Sequence, residues 1–212
     1  ATIESERWTL NTPANNAHVL VIACGAIARE ILLVIENSGW SHMRVECLPA
    51  KLHNAPGKLP EAIRAKIREN RTEYERILVL YSDCGTGGGI QRMLDEEGVE
   101  GIGGAHCYEI FMGRDQFQDF SANEPGCFYV TDFLARHFEN LVFKGLGLDR
   151  HPDLRDLYFG NYRKLVFLAQ SHNEEILDRA KAAAKSIGLE LEVRVTGTDG
   201  YGDFLEKHAN IK

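Results

Sequence analysis

In the stretch ILVLYSDCGTGGG, residues 77–89, an apolar run of strand length ends in an acid, a thiol and a hydroxyl set among glycines. A thiol just ahead of a helix is favoured as the thiolate, because the unpaired amides and aligned peptide dipoles attract negative charge. Cys84 is therefore a candidate nucleophile or metal ligand, with Asp83 and Thr86 crowding polar atoms around it. Gly85, Thr86, Gly87 and Gly88 form a candidate binding loop, since glycines let backbone amides approach an anion closely. The loop lacks the Lys-Ser/Thr of a P-loop and the spacing of a dinucleotide fingerprint, so a carboxylate or phosphate of a small substrate fits it better than a nucleotide.

The stretch has an echo in VLVIACGAI, residues 19–27, where a second apolar run ends in Cys24 and Gly25. Cys24 and Cys47 are 23 residues apart, as are Cys84 and Cys107, which suggests an internal repeat. AHCYE, residues 105–109, brings His106, Cys107 and Glu109 together, and KLHNAPG places His53 on a loop rich in turn formers. Neighbours in an extended segment point to opposite faces, so one of His106 and Cys107 is expected inward and the other in support; register with Cys47 would favour Cys107. Thiolate and imidazole on one edge are what zinc or iron requires. The expected ligands come from Cys84, Cys107, His106, Cys24 and His53. Glu109 is expected to support a ligand or act as a general acid or base, and Cys84 and Asp83 complete the candidate catalytic set. Ser171 and His172 compete for a pocket role from a later strand end, and Cys47 and Cys127 read as structural.

Three strand–helix–strand units would position these groups. HVLVIAC precedes a helical stripe of Ile27, Ile31, Val34 and Ile35 and then MRVECL; ILVLYS precedes the glycine loop, a short helix and VEGIGGAHCYEIF; KLVFLAQ precedes a helix ending near Gly188 and then LELEVRV. In the third unit, the spacing of Ser171 and Glu174 matches a capping box. Alternation of this kind predicts an α/β fold with a largely parallel sheet, open to a pseudo-threefold arrangement. Ligands are then expected beyond the carboxyl ends of the strands. A single α/β domain over 1–212 is expected, with a helical insertion over 111–163 that carries a helix from Asp132 to Lys144 and serves as a cap or an oligomer surface. TGTDGYGD near the end could supply a second anion loop.

Lys and Arg number 24 against 31 Asp and Glu, a net charge of -7 without a basic run, so neither nucleic acid nor an anionic membrane is an expected partner. The first residues show no apolar segment after a basic one, and no spanning stretch occurs; a cytoplasmic protein with five free thiols follows as the expectation.

YSDCGTGG, GAHCYEIF, FYVTDFLARHF and GLGLDRHPDLRDLYFGNYRKLVFLAQ together resemble a bacterial and archaeal family defined as a domain of unknown function. That resemblance implies a link to corrinoid-dependent methyltransferases, hence to one-carbon or methylated-amine metabolism and to a corrinoid or methyltransferase protein as partner. The triple strand–helix–strand plan also looks like that of quinolinate synthase and the diphthamide synthesis enzymes, in which each unit gives one cysteine to an iron–sulfur cluster. Here Ser171 or His172 stands where the third cysteine would be, a departure that favours a mixed Cys/His mononuclear site.

The sequence thus leads to a zinc-dependent enzyme acting on a small anionic or methylated substrate, with iron or an iron–sulfur cluster as the alternative metal. A metal-free enzyme with Cys84 as nucleophile or methyl acceptor, and a non-enzymatic carrier of a corrinoid or metal, are the rival expectations.

Overall fold

The computed structural model describes residues 18–209. Residues 1–17, on which the reading of no leader was made, lie outside the described residues, as do 210–212. The described chain gathers into two compact units, 18–110 with 200–209 and Phe111–Asp199.

In the first unit β1 (Val19–Cys24) leads to α1 (Ala28–Asn37) and β2 (Met43–Leu48). Two 3₁₀ turns, Ala50–Asn54 and Pro56–Lys58, then lead to α2 (Leu59–Asn70), with Pro60 in its first turn, where a missing N–H costs nothing. β3 (Arg76–Leu80), α3 (Gly89–Glu97), the two-residue β4 (Glu100–Gly101) and α4 (Cys107–Met112) follow. The strands pair in the order β2-β1-β3-β4, all parallel. Val19 to Ala23 are fully buried, as expected for a central parallel strand covered on both faces.

The second unit opens with α5 (Arg114–Asn123), β5 (Cys127–Thr131) and α6 (Asp132–Phe138). α6 runs on through a π-helical turn, Glu139–Phe143, so the helix expected from Asp132 is present over nearly its whole length. α7 (Leu154–Phe159), β6 (Lys164–Ala169), α8 (Glu174–Ile187) and β7 (Glu190–Val195) complete a parallel sheet in the order β5-β6-β7. Its core joins Val130, Leu165 and Phe167 to Ala180, Ala184 and Ile187 of α8. The segment 111–163 is therefore not purely helical, since it also supplies β5. The chain then enters α9 (Asp199–Ala209), which from Gly200 belongs to the first unit.

The α/β class and the parallel pairing are present, but in two sheets. β1 pairs directly with β3, so the first two strand–helix–strand units merge into one sheet while the third stands in another, and the three do not form equivalent arms. α8 ends at Gly188 (φ 74°), whose amide and that of Leu189 close the last turn. It does not begin with the Ser171 capping box: Asn173 caps it by accepting the Ile176 amide at 3.2 Å, and Ser171 turns to Asp132 instead.

Candidate functional site

The register of β1 and β3 pairs Ala23 with Leu80, which sets Cys24 beside Tyr81 at the carboxyl edge of the sheet. Cys24 is buried and its Sγ accepts the Ala26 amide at 3.3 Å. Cys47 lies level with Ala23 in β2 and is half-buried. His53, on the first 3₁₀ turn, places Nδ1 2.9 Å from the Ala50 carbonyl oxygen. Only an N–H can serve that acceptor, so Nδ1 carries a proton; Cys24 Sγ lies 3.9 Å from Nδ1 and 4.0 Å from Nε2. The ring also stacks on Tyr81, 6.3 Å between centroids at 20°.

Beyond β3 the chain is held by Gly104 and Ala105, whose carbonyls accept the amides of Asp83 at 2.8 Å and Cys84 at 3.1 Å. Cys84 adopts φ 49°, a left-handed conformation that a side chain disfavours and that clusters at functional sites. The anion expected on the glycine loop turns out to be the chain's own. Asp83 accepts Thr86 Oγ1 at 2.5 Å and the amides of Gly87 at 3.0 Å and Gly88 at 2.7 Å. The Thr86 bond first, and those amides after it, hold the Asp83 carboxyl below its ordinary pKa. Gly85, Thr86, Gly87 and Gly88 thus shape a turn closed by Asp83, and an external anion would have to displace that carboxylate. Asp83 itself is committed to this turn rather than free for catalysis.

The expectation of a Cys84 thiolate at a helix start is also overturned. α3 begins only at Gly89, and burial, then Asp83, push the Cys84 thiol up to about 11. At neutral pH it is a thiol.

AHCYE forms a helix start, not a strand end, because β4 stops at Gly101. The equal 23-residue spacings therefore join unlike positions: Cys47 lies within a strand and Cys107 opens α4. His106 is exposed, 6.2 Å from the Tyr108 ring, and is not drawn to the thiols. Glu109 is buried and reaches back to accept the Ala105 amide at 2.6 Å. It thereby anchors the segment whose carbonyl holds Cys84, a supporting role like the one expected as an alternative to acid/base work. Glu109→Ala should cost about 1 kcal/mol by removing the bond that its carboxylate accepts from the Ala105 amide. Urea unfolding would show that loss, and faster alkylation of Cys84 would show the loosened turn.

Cys107 completes the group. Burial, then Cys84 and Cys24, push its thiol far up, while burial, then Cys84 among its neighbours, raises Cys24 to about 12. Tyr201 of α9 is fully buried with them, its phenol raised well above the usual range by burial and then by Cys107, Cys24, Cys84 and Glu30. The glycines of TGTDGYGD explain its place: a Cβ at Gly200 would overlap the Ile110 carbonyl oxygen, and Gly202 leaves 3.9 Å to Val34. They serve close packing of α9 on α4 and α1, not a second anion loop. Sequence reasoning passed over Tyr201, although an aromatic between two glycines at a helix start was the available signal.

Cys24, Cys84, Cys107, His53, Tyr81 and Tyr201 thus come from separate segments to one edge of the first unit. Among the described residues no group of three or more His, Cys, Asp or Glu side chains already has the arrangement to hold a metal ion. Cys127 and Ser171 lie in the second unit, where Cys127 donates to the Glu124 carbonyl at 3.2 Å and Ser171 to Asp132. His172, also there, is exposed.

No helix among the described residues is long and apolar enough to cross a membrane. No curated protein matches the chain. A family described as "Protein of unknown function (DUF1638)" matches residues 47–205, a span that takes in His53, Tyr81, Cys84, Cys107 and Tyr201 and leaves Cys24 outside. With most of its length matched, the chain belongs to the DUF1638 family.

Proposed function

We propose that this protein is a metal-dependent enzyme whose zinc is held by the thiolates of Cys24, Cys84 and Cys107, with a fourth position open to a small substrate. The observation that carries the reading is the meeting of three thiols, Cys24 buried and Cys84 and Cys107 half-buried, supplied by β1, the turn after β3 and the start of α4, beside the His53 imidazole. The 4.0 Å between His53 Nε2 and Cys24 Sγ is close to the ~3.6 Å edge of a tetrahedral zinc site with ordinary Zn–N and Zn–S bonds. His53 is thus near enough to a thiolate-bound zinc to take its fourth position when no substrate fills it. Neutral thiols stand further apart than thiolates around a dication, and metal binding is what would draw them in. An open position on zinc supplies Lewis-acid activation of the substrate. The reading agrees with the corrinoid-linked, one-carbon setting that the family resemblance implies, where thiol or methyl activation by zinc would have a use.

Raised thiol pKa values count against the metal-free nucleophile, since a neutral thiol is a poor one. Elemental analysis of protein purified without added metal and without oxygen tests the proposal. About one zinc per chain, lost in both Cys84→Ala and Cys107→Ala, is expected. Iron with sulfide would redirect the site to a cluster. A folded wild-type protein that refuses zinc even when it is supplied would end the reading.

A further inference from the structure

The ring of Tyr81 stacks on His53, which also touches Cys24, and the residue is only 2% exposed. Apart from the soft contact with the Cys24 thiol, its Oη has no hydrogen-bond partner. A buried hydroxyl left in this state costs free energy, and native folds rarely keep one without a use for it. A tyrosine phenol, with an ordinary pKa of about 10, keeps its proton at neutral pH and acts as a donor. A thiol is a weak acceptor, which leaves the donor in want of an oxygen.

We infer that Tyr81 is a ligand-contacting residue of the thiol centre, its Oη donating a hydrogen bond to a carbonyl or carboxylate oxygen of the small molecule bound beside Cys24. The inference rests on the thiol centre proposed above and adds to it the chemical class of the ligand: a small compound with an acceptor oxygen. The phenol completes its hydrogen bonding only when that oxygen is present. The Cys24–His53–Tyr81 side of the centre therefore orients the ligand, while the thiols act on it.

Tyr81→Phe separates this role from a structural one. Its melting temperature is compared with that of the wild type, and acetate is titrated into both proteins by chemical-shift perturbation, with zinc bound or, if zinc is not taken up, metal-free. The expected result is a melting temperature equal to or above that of the wild type, because only a weak contact with the Cys24 thiol is removed, together with acetate affinity lower by about tenfold or more. A melting temperature that falls in Tyr81→Phe would overturn the inference, since the hydroxyl would then have had a partner. So would equal acetate affinity in the two proteins, or no acetate binding to the wild type. Zinc uptake is read separately in the wild type, so failure of the metal centre and failure of the Tyr81 contact are told apart.

Discussion

Zinc affinity should rise about a thousandfold from pH 7 to pH 8, because three neutral thiols must each release a proton for the metal to be held by three thiolates. The sign follows from burial. Cys84 is raised to about 11 and Cys24 to about 12, each from an ordinary 9.0, and Cys107 is raised further, so all three carry protons throughout that window. Each displaced proton contributes one factor of ten per pH unit, while a neutral His53 would release none. Competition with a chelator between pH 6.5 and 8 measures the slope. Calorimetry in buffers of different ionisation enthalpy should count about three protons per zinc. A slope near zero would mean that the thiols are not ligands or are ionised beforehand. The metal-free protein carries the converse signature. A thiol whose folded pKa is raised contributes stability that is fully present below about pH 9 and is lost as pH rises through the folded values. Metal-free protein should therefore weaken above pH 9, and zinc should remove that dependence.

Asp132→Ala should destabilise the second unit by about 2–5 kcal/mol through the hydrogen bonds it strands. Asp132 is 1% exposed. Its carboxylate accepts the Gln170 amide at 3.0 Å and Ser171 Oγ at 2.5 Å, with Arg136 3.9 Å away, and its own amide donates to Gln170 Oε1 at 2.8 Å. The Gln170 side chain in turn donates to the Leu168 carbonyl. This reciprocal lock ties the end of β5 to the end of β6. Alanine leaves the Gln170 amide and the Ser171 hydroxyl without their acceptor, each a buried loss of about 1–3 kcal/mol. Asp132→Asn keeps one acceptor oxygen and should cost less. Amide exchange of Phe167 and Leu168 in β6, faster in the alanine variant, would localise the damage to this sheet. Unchanged exchange would show the lock to be dispensable.

The sequence by itself determined the α/β class, the parallel strands and most helix positions, since these follow from local signals. VLVIAC, ILVL and KLVFLA are unbroken apolar runs that only a covered parallel strand can bury, and Gly188 stops α8 because glycine adopts the left-handed turn at little cost. Strand polarity also placed Cys24, Cys84, Cys107 and His53 on one edge, but it added Ser171 and His172, which stand in the second unit. What it misjudged depends on contacts between distant segments. Whether the glycine loop is open to an anion turned on Asp83, whose carboxylate fills it. Whether Cys84 is a thiolate turned on how far the folded chain takes it out of water, and spacing along the chain carries no dielectric. His106 fell away, and Glu109 became an anchor, because AHCYE bends into α4 where a strand was expected. Tyr201 entered because Gly200 lets α9 press on Ile110, more than eighty residues back along the chain. Hydrophobic period is a local property and is written in the residues; pKa, partner and ligand access are properties of surroundings that exist only once the chain has folded.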